Sequence, residues 1–279
     1  MGSYHFYDRM EREVDLFHEY KKFEYAICHD RIKGVGTLNQ KFEELFFRWP
    51  FRQNYMSMDE LRFELGYSIQ WDEYGYMEDI TRETIDIFDF LTYCEIIGSL
   101  CNSFKSSFNF DVKMKAKGII ETMKYDLNKL GFSFHVYNDD RVIILQNDKS
   151  LVVLDYVKPE VADAILEYNH YVLKGNLDYK RQLLKRIADD LEPKRPTLKG
   201  LNKSLESDYF YLVNNMNIRH NNCDPADTTK YCEVFAKLSS EEKESWYDDI
   251  YQLGVLCYMT IENEGRKQKI KNFKGSLSQ

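Results

Sequence analysis

The sequence predicts a mainly α-helical fold: a helical bundle into which a small antiparallel three-stranded β-meander is inserted. Three observations lead there. Apolar residues recur at helical spacing through most of the 279 positions. Five Pro and 13 Gly are few for a β-protein of this length, which needs many turns. Dense Val, Ile and aromatic runs broken by polar turns are confined to one stretch, 132–156. The 21 Tyr and 18 Phe suit a packed core and argue against disorder.

Taken in order, Met10, Val14, Phe17 and Ile27 place a helix over Tyr7–Ile27. Leu38, Phe42, Leu45 and Phe46 share one face of a second, ended by Trp49-Pro50-Phe51. A short helix follows over Asp59–Leu65, and the aromatic, turn-rich stretch Gly66–Met77 fits no single element. Thr81–Phe104 reads as a helix apolar around nearly its whole circumference, which belongs at a domain centre. Lys105–Asn109 reads as a linker. Ala116, Ile119, Met123, Leu127 and Leu130 then mark an amphipathic helix, with Gly131 as its C-cap.

The period now changes. Phe132–Tyr137, Arg141–Gln146 and Leu151–Tyr156 read as three strands, separated by Asn138-Asp139-Asp140 and by Asn147-Asp148-Lys149-Ser150. So small a meander must lean on helices. Pro159 opens a new helix, Gly175-Asn176 breaks it, and Leu177–Leu191 resumes with Leu184, Ile187, Ala188 and Leu191 in register. Pro193 and Pro196 turn the chain into a helix over Leu201–Met216. A short helix near Lys230–Leu238 precedes Ser239-x-x-Glu242, a capping box for a last helix reaching about Glu264. The domain reading is an N-terminal helical region (1–110), a helix with the meander (111–158), a C-terminal helical region (159–264) and a basic tail (265–279), the last taken as a solvated, frayed end.

Charge and composition exclude several functions. The net charge is −8, although the tail holds Arg266, Lys267, Lys269, Lys271 and Lys274 and no acid. The remainder is therefore more acidic still, against broad duplex binding. The six Cys form no C-x-x-C pair, no H-x-x-x-H occurs, and Gly34-Val35-Gly36 lacks the ending of a phosphate loop, so neither metal nor cofactor is expected. No apolar run reaches the ~18 residues of a membrane span and no basic, apolar leader opens the chain; with free cysteines this predicts a cytoplasmic protein.

Functional groups concentrate in Asn214-Asn215-Met216-Asn217-Ile218-Arg219-His220-Asn221-Asn222. Arg219 offers a rigid fork of donors at any working pH, His220 moves a proton near neutrality, and Asn215, Asn217, Asn221 and Asn222 both donate and accept. Such a set suits an RNA phosphate or another anion, with Lys185 and Arg186 on the Leu177–Leu191 helix extending the positive field. The same residues also suit a helix end, where Asn adopts left-handed backbone and cations complement the dipole.

Ile218-Arg219-His220-Asn221-Asn222 after a long helix, followed by the Trp246-Tyr247-Asp248-Asp249 helix, resembles the HEPN superfamily of bacterial abortive-infection and phage-defence proteins over about Leu177–Met259. The resemblance implies a HEPN-like helical bundle and a homodimer that binds RNA and cuts it without metal. Arg219 would hold the scissile phosphate and His220 would transfer the proton. Asp248 and Asp249 themselves carry two readings: a pair that orients Arg219 across the bundle, or surface charges. The family's own His should fall at Asp224, Pro225 or Ala226, and no His follows His220. Two readings therefore stand: a metal-independent endoribonuclease, or a non-catalytic interaction or antitoxin-like protein acting through a protein partner of a defence or toxin–antitoxin system.

Overall fold

The computed structural model describes residues 13–50, 52, 54–64, 69–71, 77–80, 85–104, 108–137, 141–146 and 149–277. It is mainly helical and divides into two compact units, Met1–Asn147 and Asp148–Gln279.

The first unit begins with α1 (Leu16–Glu24), which passes into a single π-helical stretch, Tyr25–His29. α2 (Leu38–Phe46) starts at a full capping box between Thr37 and Gln40, and α3 (Met58–Glu64) follows. Of the stretch that fits no single element, Gly66–Met77, the described part is β1 (Ile69–Trp71) and the first residue of its antiparallel partner β2 (Met77–Ile80). The predicted Tyr7–Ile27 helix lies partly outside the described residues, as do the Asn138–Asp140 turn and most of the linker. α4 (Ile87–Asn102) is the buried centre that its sequence foretells, with Phe90, Leu91, Cys94, Ile97 and Leu100 at 0–2% exposure. It packs on α5 (Phe110–Lys129) and on the hairpin of β3 (Phe132–Tyr137) and β4 (Arg141–Gln146). Gly98 makes the close approach possible, since a Cβ there would stand 2.6 Å from the Phe134 ring. Beneath α4, Glu24 is buried, accepting from the Tyr93 hydroxyl at 2.7 Å and facing Arg62 Nε at 3.4 Å.

The three-stranded meander is corrected to a hairpin. Two groups that a third strand would pair with, the amides of Val142 and Ile144, instead donate to Ser99 Oγ and Glu95 Oε2 of α4 at 2.9 and 3.2 Å. The predicted third strand lies within the 3₁₀ segment Lys149–Tyr156, in the other unit. There Val153 and Ser150 are buried while Val152 is exposed, so the apolar run serves as a short helical turn.

The second unit contains α6 (Pro159–Tyr168), α7 (Leu177–Leu191), α8 (Arg195–Leu201), α9 (Lys203–Asn215), α10 (Glu233–Ala236) and α11 (Ser240–Leu277). α7, α9 and α11 meet along one core that includes Leu184, Ile187, Tyr209, Val213, Ile250 and Tyr251. Ser239 and Glu242 make the reciprocal capping bonds expected of them, at 2.8 and 3.2 Å. The helix they open does not stop near Glu264. It continues through the basic tail to Leu277, with every residue of 265–277 exposed, so the tail is solvated as expected but helical. A seam of buried polar groups crosses this core: Tyr168 stacks on Tyr251 at 4.2 Å between centroids, and the Tyr251 hydroxyl donates to Ser150 Oγ at 2.6 Å.

Candidate functional site

α9 ends where its sequence changes from amphipathic to Asn-rich. Met216 caps it through a bond to the Leu212 carbonyl at 2.8 Å, and Asn217 turns the chain at φ 62°, a left-handed conformation that Asn tolerates. The next five residues close on themselves. Asn217 N–H donates to Asn222 Oδ1 at 2.9 Å, and Asn222 N–H donates back to Asn217 Oδ1 at 3.0 Å. Asn222, 1% exposed, also donates from Nδ2 to the Lys230 carbonyl at 2.6 Å. These two predicted RNA-binding amides are consumed by a clasp. Asn215 bonds the Tyr211 carbonyl of its own helix at 2.7 Å, whereas Asn221 is exposed.

The clasped loop runs over one face of α7. Arg181 Nε donates to the Asn217 carbonyl. Two turns further along, Arg219 sends Nη1 to Glu192 and Nη2 to the Ala188 carbonyl at 3.0 Å, with Asp189 Oδ1 at 3.6 Å from Nη2. Its guanidinium lies 5.7 Å from the centre of the buried Phe210 ring. Arg219 thus satisfies a carbonyl at the C-terminal end of α7 and pairs with two carboxylates, of which Glu192 is also shared by Arg195 Nη1 at 3.6 Å. His220, beside it, is half-buried. Lys185, one turn from Arg181 and one turn before Asp189, is exposed; Arg186 is exposed with Glu167 at 3.9 Å.

The Asp pair takes no part in this arrangement, a correction to the orienting role expected of it. Asp248 accepts from Lys180 Nζ and from the Tyr168 hydroxyl, both at 2.8 Å, and Asp249 is exposed. From the Trp246-Tyr247-Asp248-Asp249 run, Tyr247 is the residue that meets the loop, through a side-chain bond with Asn217. Burial dominates its environment and pushes its hydroxyl up to about 12. The basic band of α7 therefore splits by position. Lys180, 4% exposed, is held by Asp248 and by Glu244 at 2.8 Å; Arg181 grips the loop; Lys185 and Arg186 face solvent.

Sequence reasoning missed Glu192 and Asp189 as partners of Arg219. Their spacing, three apart at the end of a helix that folds back, was the available signal. It also missed an open groove of about 840 Å³ beside the loop, where α8 and α9 present Lys199, Lys203, Tyr211 and Asn215 and where Glu192 and Phe210 form part of the wall. Arg195 lies there too, paired with the buried Glu206 and 4.5 Å from the Phe210 ring centre. Among the described residues no three His, Cys, Asp or Glu side chains gather closely enough to hold a metal ion, and no helix is long and apolar enough to cross a membrane.

The chain matches no protein-family model, no curated protein and no solved structure.

Proposed function

We propose that this chain is a HEPN-like protein of the phage-defence type whose second unit acts by binding, through a protein partner, without cutting RNA. The observation that carries this reading is the commitment of Arg219. A phosphate-holding Arg has to present free donors to the ligand, and here Nη1 and Nη2 go to Glu192, Asp189 and the Ala188 carbonyl. Only Nε is left without a partner, and it is buried, so a phosphate would have to displace the carboxylates to reach the terminal nitrogens, where like charge opposes it. The HEPN resemblance of Ile218–Asn222 and the following helix remains the basis for the family and for the defence role.

A second reading, RNA engagement, rests on the groove. Lys199 and Lys203 supply phosphate contacts, and the exposed Tyr211 supplies a stacking face, a combination that suits single-stranded nucleic acid. That reading assigns proton transfer to His220, half-buried in the loop and outside the groove's lining.

Incubating wild type, Arg219→Ala and His220→Ala with total and transfer RNA in EDTA separates the two. Under the first reading RNA stays intact with all three proteins, Arg219→Ala melts at a lower temperature, and the wild type co-purifies with a protein. Cleavage by wild type that disappears in His220→Ala at unchanged melting temperature would falsify it and place the chemistry at the loop.

A further inference from the structure

α11 carries two apolar faces, and its fold uses one of them. Tyr247, Ile250, Tyr251, Gly254 and Tyr258 line the core side. On the other side Leu256, Met259, Ile270, Phe273 and Leu277 are all exposed, the last three at 53, 64 and 71%. With Asn263 and Arg266 between them, these positions alternate three and four apart without a break over 21 residues, or about 32 Å of helix. This is the a/d spacing of a two-helix seam, with Asn263 at an a position and Arg266 at a d position.

We propose that this seam pairs antiparallel with the same seam of a second copy of the chain. The direction follows from charge. In a parallel pair Arg266 would face Arg266 of the second copy and Lys269 at g would face Lys274 at e, like charges that the pairing of Glu262 at g with Lys267 at e offsets only in part. In an antiparallel pair centred between positions 263 and 266, Asn263 faces Arg266 in both halves and the two polar residues satisfy each other. Glu262, 3.5 Å from Arg266 Nε of its own copy and so screening it, then also lies beside Lys269 of the second copy, twice. Outside this polar centre Met259 meets Ile270 and Leu256 meets Phe273. The body is shaped to receive them. A groove of about 520 Å³ runs beside Leu256 and Met259, with the exposed Val152 and Tyr156 on its far wall, and it lies where Phe273 of the second copy arrives. Arg266, whose guanidinium donates to the Tyr156 hydroxyl at 2.6 Å, is already held at the groove edge. At the groove the charges are Glu262 against Arg266 and Lys267, so the attraction between copies comes from the Glu262–Lys269 pairs and the long-range pull of a basic tail toward a chain of net charge −8. The inference rests on α11 alone and does not depend on the reading of the Arg219 loop.

Sedimentation equilibrium of the full chain across the micromolar range tests it. Wild type should dimerise. Ile270→Glu with Phe273→Glu, at exposed positions, should be monomeric with unchanged melting of the body. Lys269→Glu should weaken the dimer about tenfold, since two attractive contacts become repulsive, and Glu262→Lys added to it should restore the affinity. A monomeric wild type, a dimer indifferent to Ile270→Glu with Phe273→Glu, or a dimer tightened by Lys269→Glu as the parallel register requires, would overturn the proposal. So would a monomer whose tail instead retards single-stranded RNA. None of these outcomes depends on whether RNA is cleaved at the loop.

Discussion

Replacing Asn222 by Ala asks whether the Asn-rich loop is built for a ligand or for itself. The amide of Asn222 accepts from Asn217 N–H and donates to the Lys230 carbonyl, at 2.9 and 2.6 Å. Truncation leaves both backbone groups without that partner. A buried group so stranded costs about 1–3 kcal/mol. Asn217 is half-buried and Lys230 exposed, so water reaches each backbone group in part, and the lower end applies to each. With the small void left at a 1%-exposed position, the total is about 2–3 kcal/mol. For a unit of this size that is a fall of roughly 6–10 °C in Tm. Asn221→Ala, at an exposed neighbour, should stay within about 0.5 kcal/mol. Urea titration followed by tryptophan fluorescence, to which Trp246 contributes together with Trp49 and Trp71, with calorimetry alongside, reads both. If Asn222→Ala matched Asn221→Ala in stability, the clasp would not be what holds the loop, and a ligand role for Asn222 would regain its place.

Three further outcomes follow from burial and charge. Burial, then the nearby Glu19, raise the Asp126 carboxyl to about 6, above its unfolded value near ~4; its stabilising contribution is complete below ~4 and is lost as pH rises through about 6. Asp126→Asn should therefore raise stability at pH 8 by about 1–2 kcal/mol and change little at pH 4, as read from urea midpoints at the two pH values. Burial alone would raise the Asp190 carboxyl, but hydrogen bonds from Lys194, Tyr258 and Lys158 outweigh it and hold the group below the ordinary range. The resulting stability is present above ~4 and lost as pH falls through the lower folded value, so Asp190→Asn should flatten the acid limb of a Tm–pH profile. Cys28 and Cys257, pushed mainly by burial to about 12, should resist iodoacetamide at pH 8 in the native protein while the half-buried Cys223 and Cys232 react, as mass spectrometry of labelled peptides will show.

The helices of the second unit were legible because each shows a one-sided apolar stripe or a cap that only a helix uses: Leu184, Ile187 and Leu191 on α7, Ser239 and Glu242 at the head of α11. What escaped is long-range. Nothing in the local pattern of 151–156 separates a buried strand from a buried 3₁₀ turn, and the deciding fact, that Ser99 and Glu95 occupy the outer edge of β4, lies some fifty residues away. The loop itself was found from its density of functional groups. Its meaning was not, because Arg219 reads as an anion-binding group until its partners 27 and 30 residues earlier are seen. Asp248 shows the reverse: adjacency in a motif suggested a shared task with Arg219, and helical geometry turns it toward Lys180 and Tyr168 instead. The extension of α11 past Glu264 was hidden by composition, since a Lys-rich end with no acid reads as solvated whether or not it is helical.

That extension changes how the end of the chain acquires order. A free peptide of some fifteen residues from Gly265 onward would be a poor helix in water, because closing the first turn costs more than a short run of bonds returns. Here the first turns are already closed inside the core, and each later residue only has to lengthen an existing spiral. Amide protection should then decline smoothly from Tyr258 toward Leu277 instead of breaking at one residue. The body serves as a template whose reach fades with distance, and anything that grips the far end would add to protection along its whole length.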